Sequence, residues 1–449
     1  MPHTSEKLKK ESSILLKLGG PIIATQLMRM GLNFTDTVMA GNLSALDLAG
    51  VAIGNAMYLP LAIFCMATLI AINPIVSEHL GARRFEEIGK SARQMFWLVL
   101  MLTIPTFFLT RNLDVIMNLA GVTKEIIPIS TDYLKAISWG LLPLFAYAGV
   151  RYFSEGLSVT KPAMYIAAVS LVLNVGANYV FMYDGFGITG MGAVGAGYAT
   201  SLINLFAAII FIGFMMKFKP FKRFNIFART KGPDPKIFIE FLKVGIPNGA
   251  STAMEILLFA SVSVLMGTLS VEASASHQIA INVAATLFMI PFGLSMAITQ
   301  RVGFSVGQGS MKNARFRGFV GIGICAAIMT GTAIILFTIP EAIISIYTDD
   351  PMVSKMSVSL LFMAGLFQIS DGLQVGGFGA LRGLKDTRLP MIVNFFAYWV
   401  IGFPIGYYLG IVSDFGPEGL WFGLISGLSV AAILHNYRFH RLTRSRNKE

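Results

Sequence analysis

The chain has 449 residues, 55% of them hydrophobic and only 13% charged, with a formal net charge of +11 and a mean hydropathy of +0.68. Soluble chains carry about 25% charged residues, so this composition excludes an ordinary soluble domain. Apolar runs of bilayer-crossing length recur along the chain and define a polytopic, all-α membrane protein. In chain order they predict twelve transmembrane helices, at 14–39, 48–77, 94–110, 126–149, 162–183, 190–216, 240–267, 274–304, 317–338, 356–379, 390–411 and 417–437. The first run follows Lys7, Lys9 and Lys10, but it is too long for a signal-peptide core and has no small-x-small cleavage site, so it is read as the first span.

The positive charge is distributed by topology. Lys and Arg crowd alternate connections: "ARRFEE" after the second span, 217–243 after the sixth, Arg301 to Arg317 after the eighth and Arg382 to Arg388 after the tenth. Arg111, Lys124, Lys135 and Lys355 are the few on the opposite side. Cytoplasmic loops hold the basic excess, which places both termini in the cytoplasm and argues against a nucleic-acid partner. Cys65 and Cys325 lie in separate apolar runs and read as small buried hydrophobes.

Sliding the chain by 226 residues lays "LKLGGP" (16–21) on "LKVGIP" (242–247) and "VMAGNLSA" (38–45) on "VLMGTLSV" (264–271). The register holds to "INPIVSEHLG" (72–81) against "ITQRVGFSVG" (298–307), and "GLSVTKP" (156–162) later echoes "GLKDTRLP" (383–390). The expected architecture is therefore two pseudo-symmetric six-helix bundles: residues 1–216, a basic cytoplasmic linker at 217–239, and residues 240–449. Parallel repeats of this kind build transporters with sites near the bilayer midplane.

Four ionisable residues sit deep in the spans: Asp36, Glu255, Asp371 and Arg29. An acid at the bilayer centre costs at least about 2.5–3.5 kcal/mol and marks an ion or proton path more often than a packing contact. Asn174 and Asn178 present two amides on one helix face, suited either to a cation or to gluing helices together. Phe367, one turn before Asp371, offers a cation–π face or plain packing. Arg29 has three open readings: pairing with Asp36, reaching into a central cavity, or packing helices. Arg151, Glu155, Glu78, Arg301 and Arg382 fall at predicted helix ends, where snorkelling and helix-end pairing account for them.

The five His residues show no ligand spacing, and "IGKS" at 88–91 lacks the first glycine of a phosphate loop. No nucleophile–base pattern or cofactor fingerprint is present, so neither an enzyme nor an ATP-driven pump is expected. The remaining energy source is an ion gradient, with desolvated carboxylates exchanging a proton or metal cation for an organic cation.

Taken together, "DTVMAG", "SVTKPAM", Pro247 with Glu255, "QRVGFSVG" and "ALRGLKDT" resemble the multidrug and toxic compound extrusion (MATE) family, in its bacterial NorM branch, over essentially the whole chain. The resemblance implies a monomeric, cation-coupled antiporter of the bacterial inner membrane. It would export cationic or amphipathic drugs against Na+ or H+ influx in contact with membrane lipid, with no cofactor. It also implies Na+ at Glu255 and Asp371, and ion or proton coupling at Asp36 with Asn174 and Asn178. Two positions depart from the family pattern: Phe367 stands where some relatives carry tyrosine, and Arg29 where a smaller or neutral residue is expected. The alternative is a flippase of related fold for a lipid-linked precursor. That cargo calls for several cavity cations, whereas the spans hold three acids to one base. Acids far apart on duplicated halves also suit alternating access better than a passive channel.

Overall fold

The computed structural model describes residues 2–183, 189–226 and 232–445, and every regular element among them is helical. The amino-terminal half holds α1 (Pro2–Gly41), α2 (Ala45–Leu69), α3 (Ile72–Gly81), α4 (Phe85–Arg111), α5 (Asp114–Leu119), α6 (Ile126–Ser138), α7 (Leu141–Gly156), α8 (Lys161–Met182) and α9 (Ala193–Lys217). After the short α10 (Lys219–Lys222) come α11 (Pro235–Leu269), α12 (Val271–Gly307), α13 (Met311–Thr338), α14 (Pro340–Ile344), α15 (Pro351–Gly383), α16 (Arg388–Phe395), α17 (Phe403–Tyr407) and α18 (Gly416–Ser445). Two π-helical segments, Phe396–Gly402 and Tyr408–Val412, flank α17. Part of the expected linker, 227–231, lies outside the described residues.

Among the described residues, ten helical segments are long and apolar enough to cross a bilayer. A helix satisfies its own backbone N–H and C=O groups, which hydrocarbon requires of any spanning segment. Two predicted spans are interrupted. The run 48–77 becomes α2 and α3, because Pro74 has no N–H to donate and the backbone ahead of it tightens into i→i−3 bonds (Ala71 N to Thr68 O, Asn73 N to Ile70 O). The run 126–149 breaks at Gly140, where a Cβ would sit only 2.7 Å from Ser201 Oγ. The first span is longer than its apolar core: α1 runs on past it toward the amino terminus.

Two compact units emerge from the packing: Ala24–Gly249, and Ala250–Glu449 together with Met1–Ile23. Their boundaries fall at repeat-equivalent positions in α1 and α11, just after Pro21 and Pro247. The repeat is visible in atomic detail. In one unit Gly19 of α1 meets Leu294, and in the other Gly245 of α11 meets Thr68; both members of the two pairs are related by the same 226-residue offset. A Cβ on either glycine would collide, at 2.7 Å from Leu294 Cδ2 or 2.5 Å from Thr68 O.

The unit containing α18 is drawn together by glycines at four-residue spacing. Gly419, Gly423 and Gly427 of α18 face Gly402, Gly406 and Gly410, so two backbones approach with no side chain between them. This contact fixes the π-helical segment that carries Tyr398, a residue of the site described below.

Of the two readings for the helix-end charges, pairing within the packing holds for Arg301, Arg151 and Glu155, and Arg382 also turns inward. Arg301 grips Glu11 with two bonds of 2.6 Å (Nε to Oε1, Nη2 to Oε2), while Arg317 Nε lies 3.6 Å from Oε2. Arg382 is buried, donating from Nε to Thr299 Oγ1 at 3.0 Å and from Nη2 to Ser295 Oγ at 3.3 Å. Arg151 and Glu155 are buried with their charged atoms 3.5 Å apart. The physical reason is neighbouring polar groups: each guanidinium finds its partners inside the packed helices and has no need to reach water.

Removing one partner of a buried bidentate pair costs about 3–5 kcal/mol. Glu11→Gln and Arg301→Gln should each lower the thermal unfolding midpoint of detergent-solubilised protein. The double variant should fall little further than the worse single one; strict additivity of the two losses would show that the pair is not coupled.

Candidate cation-binding site

The three intramembrane acids occupy two different environments. Asp36, near the end of α1, is only 5% exposed and both its oxygens accept hydrogen bonds. Oδ1 accepts from Asn178 Nδ2 at 2.6 Å and Oδ2 from Thr200 Oγ1 at 2.9 Å. The same Asn178 amide donates to Asn174 Oδ1 at 3.3 Å, so α8 presents its two amides as a ladder one turn apart. Tyr133 of α6, whose hydroxyl donates to Asn55 Oδ1 at 2.9 Å, lies within electrostatic reach of Asp36. The cluster thus draws on α1, α2, α6, α8 and α9, all inside the unit Ala24–Gly249.

Glu255 of α11 and Asp371 of α15 form the second environment, within the other unit and close enough to act on each other electrostatically. Asp371 is 1% exposed, and its Oδ1 is buried with no partner. Glu255 is partly exposed and makes no hydrogen bond or ion pair among the described residues. Around them stand further oxygens. Tyr398 lies within electrostatic reach of both acids, and its hydroxyl accepts from Gln374 Nε2 at 2.9 Å. Gln374 Oε1 and both amide atoms of Gln368 are buried without a partner. Gln368, Asp371 and Gln374 follow a three-residue spacing, which puts them on one face of α15.

Aromatic rings pack beside this pair. Phe367 meets Phe259 and Trp421 edge-on, with centroids 5.9 and 5.8 Å away. Trp399 Nε1 donates to Met254 O at 3.3 Å, tying the segment after α16 to the residue preceding Glu255. Arg29 does not pair with Asp36, whose oxygens are already occupied. Its nearest partners are Met66 Sδ at 3.9 Å and the Tyr147 ring at 5.5 Å.

Two neighbouring carboxylates that accept no hydrogen bond repel each other and invite a positive charge. Carboxylate, amide and phenol oxygens suit a hard cation. Among the described residues no group of three or more His, Cys, Asp and Glu side chains is arranged to hold a metal. A cation at Glu255 and Asp371 would therefore complete its shell from amides, phenol or water, as an exchangeable ion does. Sequence reading missed Thr200, Tyr398, Gln368 and Gln374. Their only linear signal is a polar residue within an apolar helix, which these spans contain many times over.

The MatE family model matches residues 21–180 and 247–408, and the chain belongs to that family. Its members are transporters, so this multi-pass membrane protein is a transporter and not an enzyme. The fold is shared with a eukaryotic MATE transporter, AtDTX14, at a TM-score of 0.87 and 20% identity, covering 98% of this chain and 99% of that one. An outward-facing multidrug resistance MATE family transporter of the MOP superfamily matches at 0.89 and 18% identity, over 98% and 97% of the two chains. A MOP superfamily transporter from Pyrococcus furiosus matches at 0.86 and 17% identity, over the same 98% and 97%.

The two environments differ in what a mutation removes. Asp36→Ala leaves buried donors on Asn178 and Thr200 unanswered, a loss of about 1–3 kcal/mol, and should lower the unfolding midpoint. In sodium-free buffer Asp371→Asn should unfold at or above the wild-type temperature, because it removes an uncompensated charge and breaks no hydrogen bond. A midpoint for Asp371→Asn well below wild type would show that the carboxylate has a structural partner after all.

Proposed function

We propose that the protein is a cation-coupled antiporter of the bacterial inner membrane, in the NorM branch of its family, exporting cationic and amphipathic drugs. The observation that carries this reading is the pair Glu255 and Asp371, within electrostatic reach of each other and without hydrogen-bond donors among the described residues. Such a pair is stable only with a positive charge beside it, and either an inorganic or an organic cation can supply that charge. Na+ or H+ entering from outside takes the pair and releases the organic cation outward; the emptied protein returns and delivers the coupling ion to the cytoplasm. Asp36, with Asn174, Asn178 and Thr200, is the coupling group of the amino-terminal half. Its oxygens already have donors, so it suits a proton that rearranges hydrogen bonds better than a bare metal ion.

The reading takes twelve spans, counting α1 and the α6–α7 pair with the ten apolar segments, and places both termini in the cytoplasm. The basic connections support that orientation. The protein is read as a monomer surrounded by lipid, with no cofactor. Phe367, wedged between two rings, shapes the wall beside the acids and contributes no oxygen.

Purified protein in liposomes, given Na+ and pH gradients separately, tests the scheme. An inward Na+ gradient, or failing that an inward proton gradient, should drive ethidium out. Asp371→Asn and Glu255→Gln should reduce that flux to the level of protein-free vesicles while remaining folded. Wild-type efflux by either variant would overturn the site assignment, and indifference of the flux to both gradients would overturn antiport itself.

A further inference from the structure

The 226-residue register pairs Glu255 with Arg29, so equivalent positions of the two halves carry opposite charges. Among the described residues Asp36 makes no ion pair with Arg29; its two oxygens accept from Asn178 and Thr200. Among the described residues the guanidinium makes one long contact, to Met66 Sδ at 3.9 Å, and rests 5.5 Å from the centre of the Tyr147 ring. A guanidinium has five donors, and a thioether answers at most one of them weakly.

The surroundings add positive charge. Arg151 lies within electrostatic reach of Arg29, as do the phenols of Tyr58, Tyr147 and Tyr152; of these the Tyr147 hydroxyl donates to Ala163 O at 3.5 Å. Arg151 is itself engaged: Nη1 donates to Gln26 Oε1 at 2.9 Å, Nε stands 3.5 Å from Glu155 Oε1, and the guanidinium lies over the Tyr152 ring at 4.6 Å. Glu155 therefore faces Arg151, leaving Arg29 as the cation whose donors are unspent. Unlike Arg151, it is partly exposed. All of these residues belong to the unit Ala24–Gly249.

We propose that Arg29, with the phenol of Tyr58 and the ring of Tyr147 beside it, is an anion subsite that takes a carboxylate or phosphate group on an amphipathic molecule. A fork of N–H donors matches such a group in geometry, and the aromatic rings beside it accommodate the adjoining apolar body. Resting on the transporter reading above, the inference widens the cargo class from simple cations to amphiphiles bearing an anionic oxygen group, zwitterions included. A helix-packing role does not explain the arrangement, because an uncharged side chain would serve that purpose without the cost of burying an ion.

The test uses two xanthene dyes with one body: rhodamine 123, a cationic methyl ester, and rhodamine 110, its free carboxylic acid. Binding of each to full-length protein in phosphatidylcholine nanodiscs is measured by fluorescence anisotropy, with no gradient imposed. Arg29→Gln should weaken rhodamine 110 by about tenfold or more, the value of one charge-assisted hydrogen-bonded contact, and leave rhodamine 123 unchanged. Arg29→Lys keeps the charge and should retain part of the discrimination, so a poorly folding Gln variant does not end the test. In parallel, phospholipid co-purifying with wild type and Arg29→Gln is quantified by mass spectrometry. Loss of tightly held anionic phospholipid in the variant would identify a lipid headgroup as the source of the anion, and the dye discrimination would identify soluble cargo. If Arg29→Gln and Arg29→Lys treat the two dyes alike and hold the same lipid as wild type, the subsite does not exist. Asp371→Asn should keep the dye discrimination although it abolishes efflux, so failure of the antiport scheme and failure of this inference are told apart.

Discussion

A carboxylate withdrawn from water must be given either a donor or a counter-charge, and this molecule answers the two cases differently. Asp36 receives two donors from side chains on α8 and α9. Among the described residues Glu255 and Asp371 receive none, and they lie within electrostatic reach of each other. The first arrangement is satisfied by hydrogen bonds; the second is not. The rest of the structure can be understood as what holds that second pair in place. Helices supply all backbone hydrogen bonds internally, glycine contacts bring Tyr398 close, and aromatic packing around Phe367 walls off one side.

The duplicated halves share a helix crossing and diverge in charge. Gly19 with Leu294 and Gly245 with Thr68 repeat one helix crossing in both units, which sets the positions of α1 and α11 by sterics alone. Further along those helices the same register sets Arg29 opposite Glu255. Duplication therefore conserves what close packing demands and leaves free the positions that packing does not fill.

Much of the candidate site was legible because charge is conspicuous in an apolar chain. Asp36, Glu255 and Asp371 stand out against their spans whatever the tertiary arrangement. Their partners do not. Thr200 reaches Asp36 across 164 residues of sequence and Asn178 across 142, and nothing local to either distinguishes it from other polar residues in the same helices. The same limit explains Arg301 and Arg382, which linear position assigned to the membrane surface. Arg301 is matched to Glu11 across 290 residues, and Arg382 to Thr299 across 83. A side chain near a helix end snorkels only if no neighbour answers it first, and neighbours are decided by packing.

What the sequence determined by itself is the class of molecule: a helical membrane protein built from a repeat, with acids where hydrocarbon tolerates few. Those properties follow from composition, run length and register, all one-dimensional quantities tied directly to the physics of the bilayer. Only the tertiary structure decided which acids accept hydrogen bonds and which do not, and that Arg29 meets no carboxylate among the described residues. Hydrogen bonds between side chains require atoms within about 3 Å, and such distances are set by helix crossings that no linear pattern encodes.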